Sequence, residues 1–288
     1  MTRIALIGPG AIGGLAAAWL CQDKHNEVSV CARSPLQKLE LETPYGPVSA
    51  EPNILLSGAD TKPVDWVLVA TKAYDSAAAA QWFPALLDDA TRVAVLQNGV
   101  DHVERFSHFL PADRILPVIV DCPTERKAPG RIAQRGDATV VVPQSGAGAA
   151  FCELFKNTRI EASQDPHFQQ AAWRKLCINA AGVVNALTGK PAGVVRDEHA
   201  AGLMRRIVDE TVAVAREEGV DLPDGMADEV IEIYRGQPAD SVNSLLADRQ
   251  AGRPMEVDIR NGVIVRLGAK YGVATPFNEM SVALLKIG

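Results

Sequence analysis

The sequence predicts an α/β protein in which a doubly wound parallel sheet precedes an all-helical domain. In the first half, apolar strand patterns alternate with helical patterns, as a parallel sheet with crossover helices requires. A glycine-rich turn joins the first strand to the first helix. From about residue 166 onward, long amphipathic helical patterns replace the strands. The expected domains are therefore residues 1–165 and 166–288.

Short apolar segments bounded by turn residues predict the strands, and apolar positions at helical spacing predict the helices. The predicted strands are 4–7, 27–33, 65–70, 92–98, 115–120 and 138–142. A helix is expected to begin after the glycine-rich turn, and an alanine-rich helix is expected after Asp75. The predicted helices of the second half are 169–187, 198–218, 224–234, 241–250 and 257–271.

The first turn has the spacing Gly-x-Gly-x-x-Gly between a strand and a helix. Its residues are Gly8, Pro9, Gly10, Ala11, Ile12 and Gly13. Gly8 permits the tight turn, Gly10 lets the backbone approach a pyrophosphate, and Gly13 allows the helix to pack closely on the strand. The pyrophosphate would lie at the helix N-terminus, where free N–H groups favour an anion. The motif predicts a Rossmann-type dinucleotide site, the alternative being a plain strand–turn–helix connection.

The end of the second strand indicates which dinucleotide is bound. About twenty residues after the last glycine, NAD enzymes usually carry a carboxylate for the ribose 2′-hydroxyl, but this chain has Arg33. A guanidinium suits a 2′-phosphate, whereas a carboxylate would repel it. We therefore expect NADP(H), the alternative being that Arg33 only ends a strand in solvent.

Composition excludes several classes of function. The net charge is −6 and no basic cluster occurs, which argues against nucleic acid or an anionic membrane as a partner. The five cysteines are scattered without a CxxC pair, so reduced thiols are expected rather than disulfides or a metal site. No signal peptide and no apolar run of about 18 residues is present, so a cytoplasmic protein is expected.

One polar pair stands in an apolar helical pattern. Lys175 and Asn179 are four residues apart and therefore lie on the same helix face. Apolar surroundings lower the pKa of a lysine, which suits proton donation to a ketone oxygen during hydride transfer. The alternative is a lysine that extends into solvent from the helix edge. A dinucleotide domain followed by a helical domain predicts a small-molecule site between them.

A second polar group follows in the last quarter of the chain. Taken singly, Ser241 and Asn243 are typical of helix starts, Asp248 of a solvated helix face, and Glu256 of a helix N-terminus. These residues acquire a functional interpretation only through a resemblance that covers nearly the whole chain.

The chain resembles the ketopantoate reductase (2-dehydropantoate 2-reductase) family. The resemblance is carried, in order, by GPGAIG (8–13), TKA (71–73), QNG (97–99), APG (128–130), WRKLCIN (173–179), NALT (185–188), SLLAD (244–248) and GRPMEVD (252–258). It implies an NADPH-dependent oxidoreductase that reduces a small 2-keto acid, with ketopantoate as substrate and pantoate as product. A role in pantothenate biosynthesis follows from that reaction.

The resemblance also implies roles for individual residues. Lys72 and Asn98 would line the nicotinamide end of the site, and Asn98 would also face the substrate. Glu256 would lie near the cofactor ribose and the lysine, where its charge favours protonated Lys175 and opposes the effect of burial. Lys175 would be the proton donor, so that Lys175 and Glu256 are the expected catalytic pair.

The substrate contacts implied by the resemblance are Asn179 and Ser244, with Ser241 and Asn185 as further candidates. The family's second asparagine falls four residues after Asn179, where this chain has Val183. Asn185 is two residues further on, and a displacement of 200° moves it off the Lys175 face unless the helix bulges or ends near Gly182.

Another departure is Ala192, which stands where some family members carry a substrate-contacting asparagine. Both departures affect the substrate end of the site, so NADPH-dependent reduction is better supported than ketopantoate itself. The alternatives are a reductase of another 2-keto or 3-hydroxy acid, and a non-catalytic NADPH-sensing protein. Apolar surface on the helical domain is compatible with a homodimer.

Overall fold

A computed structural model of the protein describes residues 1–59 and 61–287. The chain divides into two compact units. The first comprises residues 1–98 and 102–168, and the second comprises Gly99–Asp101 and the chain from Gln169 onward. Three residues that follow a strand of the first unit therefore group with the helices of the second.

The first unit contains all the strands of the described chain. They are β1 (Thr2–Ile7), β2 (Asn26–Cys31), β3 (Leu39–Glu42), β4 (Val48–Ala50), β5 (Asn53–Leu55), β6 (Trp66–Val69), β7 (Arg92–Val95), β8 (Ile115–Pro117), β9 (Ile119–Asp121), β10 (Thr124–Ala128), β11 (Arg131–Gln134), β12 (Ala138–Pro143) and β13 (Ile160–Asp165). Its helices are α1 (Ala11–Leu20), α2 (Ser76–Ala80), α3 (Phe83–Leu86), α4 (His102–Phe106) and α5 (Gly146–Leu154), with 3-10 turns at Ala73–Asp75 and Ala112–Arg114.

The main sheet has six parallel strands in the order β5-β2-β1-β6-β7-β8. The chain first moves outward from β1 to β5 and then crosses to the other side of β1, so the direction reverses between β1 and β6. In sheets of this kind, ligands bind beyond the carboxyl ends of the strands at such a switch point. The predicted doubly wound parallel sheet is confirmed.

Both faces of this sheet are covered, and β1 shows why its sequence is continuously apolar. Ile4 and Leu6 pack into one core with α1 and α5, while Ala5 and Ile7 pack into a second core with α2, α3 and α4. All four side chains are at most 3% exposed. A parallel strand buried on both faces needs apolar residues at every position.

Two smaller sheets, β10-β11-β3-β4 and β13-β12-β9, complete the first unit. Helix α1 packs against the four-stranded sheet, and the Trp19 indole N–H donates a hydrogen bond to Gln134 Oε1 at 3.1 Å. Of this sheet, the sequence predicts only the turn at Gly130, which has a φ of +74°. Its strands are short and carry many polar residues, so their pattern is weak.

The second unit is helical. It consists of α6 (Phe168–Ala181), which starts one residue before the unit boundary, α7 (Val183–Thr188), α8 (Glu198–Glu217), α9 (Met226–Gly236), α10 (Ser244–Gln250), α11 (Val263–Tyr271) and α12 (Pro276–Ile287). A 3-10 helix at Ala192–Arg196 and a π-helical turn at Asp258–Gly262 complete it. The predicted helix 198–218 corresponds to α8, whose Ile207, Val208 and Ala215 are fully buried in a single core.

Three predicted helices have different bounds in the structure. The segment 169–187 is interrupted at Gly182, the helix predicted from 241 begins at Ser244, and the helix predicted from 257 begins with the π-helical turn. Asn243 caps α10, because its side-chain oxygen accepts a hydrogen bond from the Leu246 N–H at 2.9 Å.

The last helix, α12, is absent from the sequence prediction. Its N-terminus is capped from another helix, since the Glu210 carboxylate accepts hydrogen bonds from the N–H groups of Phe277 (2.9 Å) and Asn278 (3.0 Å). A signal was nevertheless present, because Pro276 is the first residue of the helix, where proline is favoured.

Two further observations bear on the class of protein. Within the described chain, no helix combines the length and the apolar character that crossing a bilayer would demand. All five cysteines are unpaired, and burial raises the pKa of the Cys31 and Cys177 thiols to about 12. The reduced state of the cysteines stays a prediction.

Candidate active site

The glycine-rich turn lies at the carboxyl end of β1, beside the switch point of the sheet. Gly8 has a φ of +95°, and a side chain there would place its Cβ 2.8 Å from the Thr71 backbone nitrogen. At Gly13, a Cβ would lie 2.1 Å from the Gly8 carbonyl oxygen and 2.9 Å from the Leu6 side chain. Only glycine fits at these two positions, for the turn and for the helix packing that the sequence predicts.

Gly10 differs from both because the space around it is open. A Cβ built at Gly10 would have no heavy atom within 4 Å. Gly10 precedes α1 without a side-chain cap, and the first turn of α1 carries no acidic residue. The first N–H groups of a helix lack partners within the helix and attract anions. Pro9 in the turn and Ala11 and Ile12 in the first turn of α1 are half-buried, and their role at a pyrophosphate stays a prediction.

Arg33 lies two residues beyond the end of β2, at the same edge of the sheet. Its side chain is 82% exposed, and its guanidinium donates a hydrogen bond to Asp75 Oδ2 at 2.6 Å. Asp75 belongs to the turn that follows β6. A guanidinium has five N–H donors, so the ion pair leaves donors for another ligand. The role of Arg33 toward a 2′-phosphate stays a prediction.

The loops after β6 and β7 carry Lys72 and Asn98, both half-buried. They are joined by Gln97, which is 4% exposed. The Gln97 amide donates hydrogen bonds to Thr71 Oγ1 (3.0 Å) and to the Lys72 carbonyl (3.3 Å), and its oxygen accepts one from Arg105 (2.7 Å). Gln97 thereby holds together the two loops that carry the predicted nicotinamide-end residues.

In the helical unit, Lys175 and Asn179 lie one turn apart on α6. Both side chains are half-buried, and the adjacent Leu176 and Cys177 are at most 2% exposed. The apolar environment that the sequence predicts for this pair is therefore present on one side of the helix only.

Arg260 forms hydrogen bonds to both Asn179 and Ser244. One of its terminal nitrogens donates to Ser244 Oγ at 2.8 Å, and the other donates to the Asn179 carbonyl at 3.4 Å. Arg260 is 4% exposed, and burial lowers the pKa of its guanidinium. The charge of Glu256, which is 7% exposed, opposes this shift. Four residues of the helical unit thus form one polar cluster.

Asn185 does not belong to this cluster. It is 1% exposed, its amide group donates to the Lys190 carbonyl at 3.0 Å, and its oxygen accepts from Asn243 at 3.2 Å. Its surroundings do not support the substrate contact expected from the sequence. Ser241 lies in the loop before α10, and its carbonyl accepts a hydrogen bond from the Ala192 N–H at 2.8 Å.

The interruption of the helix at Gly182 explains why Asn185 lies outside the polar cluster. A Cβ at Gly182 would lie 2.5 Å from the Tyr234 hydroxyl and 2.8 Å from the Asn243 amide nitrogen. The Tyr234 hydroxyl donates to the Ile178 carbonyl, and the Asn243 amide donates to the Gly182 carbonyl. Of the two possibilities left open by the sequence, the structure has the one in which the helix ends at Gly182.

Comparison with known proteins decides the family. The family described as ketopantoate reductase PanE/ApbA matches residues 4–146, and its C-terminal counterpart matches residues 167–287. This chain belongs to the ketopantoate reductase family. It is 53% identical to a 2-dehydropantoate 2-reductase of Caulobacter vibrioides over 285 residues, which cover 99% of this chain and 98% of the relative.

Solved structures of ketopantoate reductases share the fold. The enzyme of the PanE/ApbA family from Ralstonia eutropha is 29% identical, with a TM-score of 0.90 over 99% of this chain and 97% of that one. A dimeric ketopantoate reductase from Staphylococcus aureus is 23% identical, with a TM-score of 0.88 over 99% and 98% of the two chains. The predicted fold class and family are confirmed.

The sequence alone did not single out two buried polar residues near the candidate site, Gln97 and Arg260. Gln97 stands inside a quoted motif, and its signal was a polar residue directly after an apolar strand. Arg260 follows Ile259 and precedes Asn261, in a segment predicted to be helical. Nothing in that pattern distinguishes a buried arginine from an exposed one.

Proposed function

We propose that the protein reduces ketopantoate to pantoate with NADPH. The observation that carries this proposal is the 53% identity to a 2-dehydropantoate 2-reductase along practically the whole of both chains. The open glycine turn and the polar cluster of the helical unit support it, because hydride transfer to a keto acid needs a nucleotide site and a polar substrate site.

In this proposal, the glycine turn and the N–H groups at the start of α1 hold the cofactor pyrophosphate. Arg33 binds the 2′-phosphate, and Lys72 and Asn98 line the nicotinamide end. NADPH, when bound, supplies the hydride for the carbonyl carbon. Gln97 keeps the two loops in position through its hydrogen bonds to Thr71 and Lys72.

The helical unit supplies the proton and the substrate contacts. As the carbonyl carbon gains a hydride, the ketone oxygen acquires negative charge and takes a proton from the Lys175 ammonium group. Asn179 contacts the substrate hydroxyl and Ser244 contacts the carboxylate. Glu256 favours the protonated form of Lys175 through its negative charge.

The test is an assay of NADPH oxidation followed by the absorbance of the reduced nicotinamide. Wild-type protein with NADPH and ketopantoate is expected to consume NADPH and to form an equal amount of pantoate. Turnover with other 2-keto acids only would contradict the proposed substrate. Binding of NADPH without any turnover would contradict the proposed reaction and favour an NADPH-sensing protein.

A second substrate is favoured by one observation. Val183 and Ala192 are apolar and at most 2% exposed, at positions where the resemblance leads one to expect asparagines. If the substrate site lacks these two polar groups, a 2-keto acid with fewer hydroxyl groups than ketopantoate would be the better substrate. Comparing kcat/KM for ketopantoate and for 2-keto acids without a hydroxyl group distinguishes the two.

We also propose that the protein works in the cytoplasm as a homodimer. Met280 and Leu284 lie one turn apart on α12 and are 46% and 49% exposed. Apolar side chains at this spacing suit an interface, and a dimer is described for the Staphylococcus aureus structure. Light scattering at several protein concentrations is expected to give twice the monomer mass.

A further inference from the structure

The position of Arg260 in the helical unit raises the question of what it does. It lies in the π-helical turn Asp258–Gly262, where the Gly262 N–H donates to the Val257 carbonyl five residues earlier, at 3.0 Å. Single π-helical turns inside helices occur frequently at functional sites. The turn places the side chain in the interior, where it is 4% exposed.

Stability does not explain a guanidinium at this place. Within the described chain, Arg260 Nε is one of only two buried side-chain atoms that lack a hydrogen-bond partner. A buried donor without a partner costs about 1–3 kcal/mol, and a buried ion pair as a whole is often no more stabilising than apolar residues of similar volume. A role in function therefore accounts for Arg260 better than a role in folding.

The contact with Ser244 has a chemical consequence. A guanidinium can only donate hydrogen bonds, so Ser244 Oγ must be the acceptor in the 2.8 Å contact. The single hydroxyl proton of Ser244 is then directed elsewhere. Ser244 itself is exposed, so this proton is available to an acceptor on a ligand. A serine hydroxyl can donate or accept a hydrogen bond, and the contact with Arg260 leaves the Ser244 hydroxyl as a donor toward a ligand.

Arg260 does not present its own charge to a ligand. Its Nε is inaccessible, and the acidic side chains of Glu256 and Asp248 and the hydroxyl of Tyr234 interact with the guanidinium. Its guanidinium also donates a hydrogen bond to the backbone carbonyl of Asn179 on α6. The hydrogen bonds of Arg260 therefore connect it to a substrate through Ser244 and α6.

We propose that Arg260 is a positioning residue that fixes the Ser244 hydroxyl as a hydrogen-bond donor to the carboxylate of the 2-keto acid substrate. The inference rests on the proposed function, because it assigns the ligand of Ser244 as the carboxylate of that substrate. It predicts that Arg260 governs substrate affinity through Ser244 and leaves hydride and proton transfer unaffected.

A double-mutant cycle with Arg260→Met and Ser244→Ala tests this. Each single variant is expected to raise KM for ketopantoate about tenfold, which corresponds to about 1.4 kcal/mol, with kcat within about twofold of wild type. The double variant is expected to be no worse than Ser244→Ala alone, because Arg260 acts through the hydroxyl. Pantoate affinity measured by calorimetry should follow the same order.

Two measurements separate this role from a structural one. The melting temperature and the NADPH dissociation constant of each variant are expected to stay near wild type. Arg253→Met is the matched control, since Arg253 pairs with Asp248, at 2.8 Å, and not with Ser244. It is expected to leave KM unchanged. If Arg260→Met does not fold, Arg260→Lys replaces it, because lysine keeps the charge without the planar fork.

Additive effects in the cycle, or an unchanged KM for the Arg260 variant, would overturn the inference. An equal rise in KM for Arg253→Met would also overturn it, because the effect would then not be specific to Arg260. A wild-type protein that reduces no 2-keto acid overturns the proposed function and this inference with it. That outcome is recognised before any variant is compared, so the two failures are distinguishable.

Discussion

Arg33 illustrates how much one side chain can decide about cofactor choice. Replacing Arg33 by alanine is expected to weaken NADPH binding at least tenfold and NADH binding by less than twofold. The physical reason is that only NADPH carries the 2′-phosphate that a guanidinium would bind. Dissociation constants for both nucleotides check this, and equal weakening of both would remove Arg33 from the 2′-phosphate site.

Asp75 supplies a useful comparison for that measurement. Its carboxylate accepts the hydrogen bond from Arg33 at 2.6 Å, and its side chain is 23% exposed. Asp75→Asn removes the negative charge beside the guanidinium, so NADPH should bind as well as in wild type or better. Weaker NADPH binding in this variant would mean that the ion pair is needed to orient Arg33.

Lys175 is the residue on which the proposed proton transfer depends. Lys175→Ala is expected to lower kcat at least a hundredfold, in line with the typical contribution of a general acid. NADPH affinity should stay near wild type, since the predicted nucleotide contacts belong to other residues. Steady-state kinetics with a binding measurement checks both, and an active variant would show that another group donates the proton.

At the scale of elements, Gly182 separates α6 from α7. Gly182→Ala is expected to destabilise the protein by about 1–3 kcal/mol, because the new methyl group would overlap the Tyr234 hydroxyl and the Asn243 amide. The free energy of unfolding in urea measures this effect.

Gly202→Ala is the matched control for that substitution. Gly202 lies inside α8, and a Cβ there would meet no heavy atom within 4 Å. Alanine has the higher helix propensity, so a gain of about 0.5–1 kcal/mol is expected. A loss of similar size in both variants would contradict the steric explanation for the break at Gly182.

The elements that the sequence predicts well are those with a strong local pattern. Strand β1 is apolar at four successive buried positions, and α8 has a regular apolar stripe. Strands such as β10 and β13 are mixed in polarity, because most of their residues are exposed or only half-buried. Their existence depends on pairing with distant strands, which the local pattern does not contain.

For the whole molecule, acid is expected to reduce stability through carboxylates with lowered pKa values. The pKa of Asp23 falls from 3.8 to about 2 because the carboxylate accepts hydrogen bonds from the His25 backbone N–H and from the Asn157 side chain, and also contacts the His25 ring. Since the pKa of Asp23 is lower in the folded state, its carboxylate contributes fully to folding stability above pH 3.8. This contribution is lost as the pH falls toward 2.

Urea midpoints between pH 7 and pH 2 measure this effect. Asp23→Asn removes the titrating group, so its midpoint should change less with pH over the acidic range than that of wild type. Parallel curves for the two proteins would mean that Asp23 does not contribute to acid unfolding.

By itself, the sequence determined the order of the two kinds of domain and the glycine turn before α1, because hydrophobic pattern and glycine spacing are properties of short segments. It also contained Lys175 and Ser244, but not what surrounds them. Only the tertiary structure decided that Arg260 is buried against Ser244 and that the buried Asn185 side chain is hydrogen-bonded to Asn243. Such contacts join residues that are distant along the chain, and packing alone selects which polar groups meet.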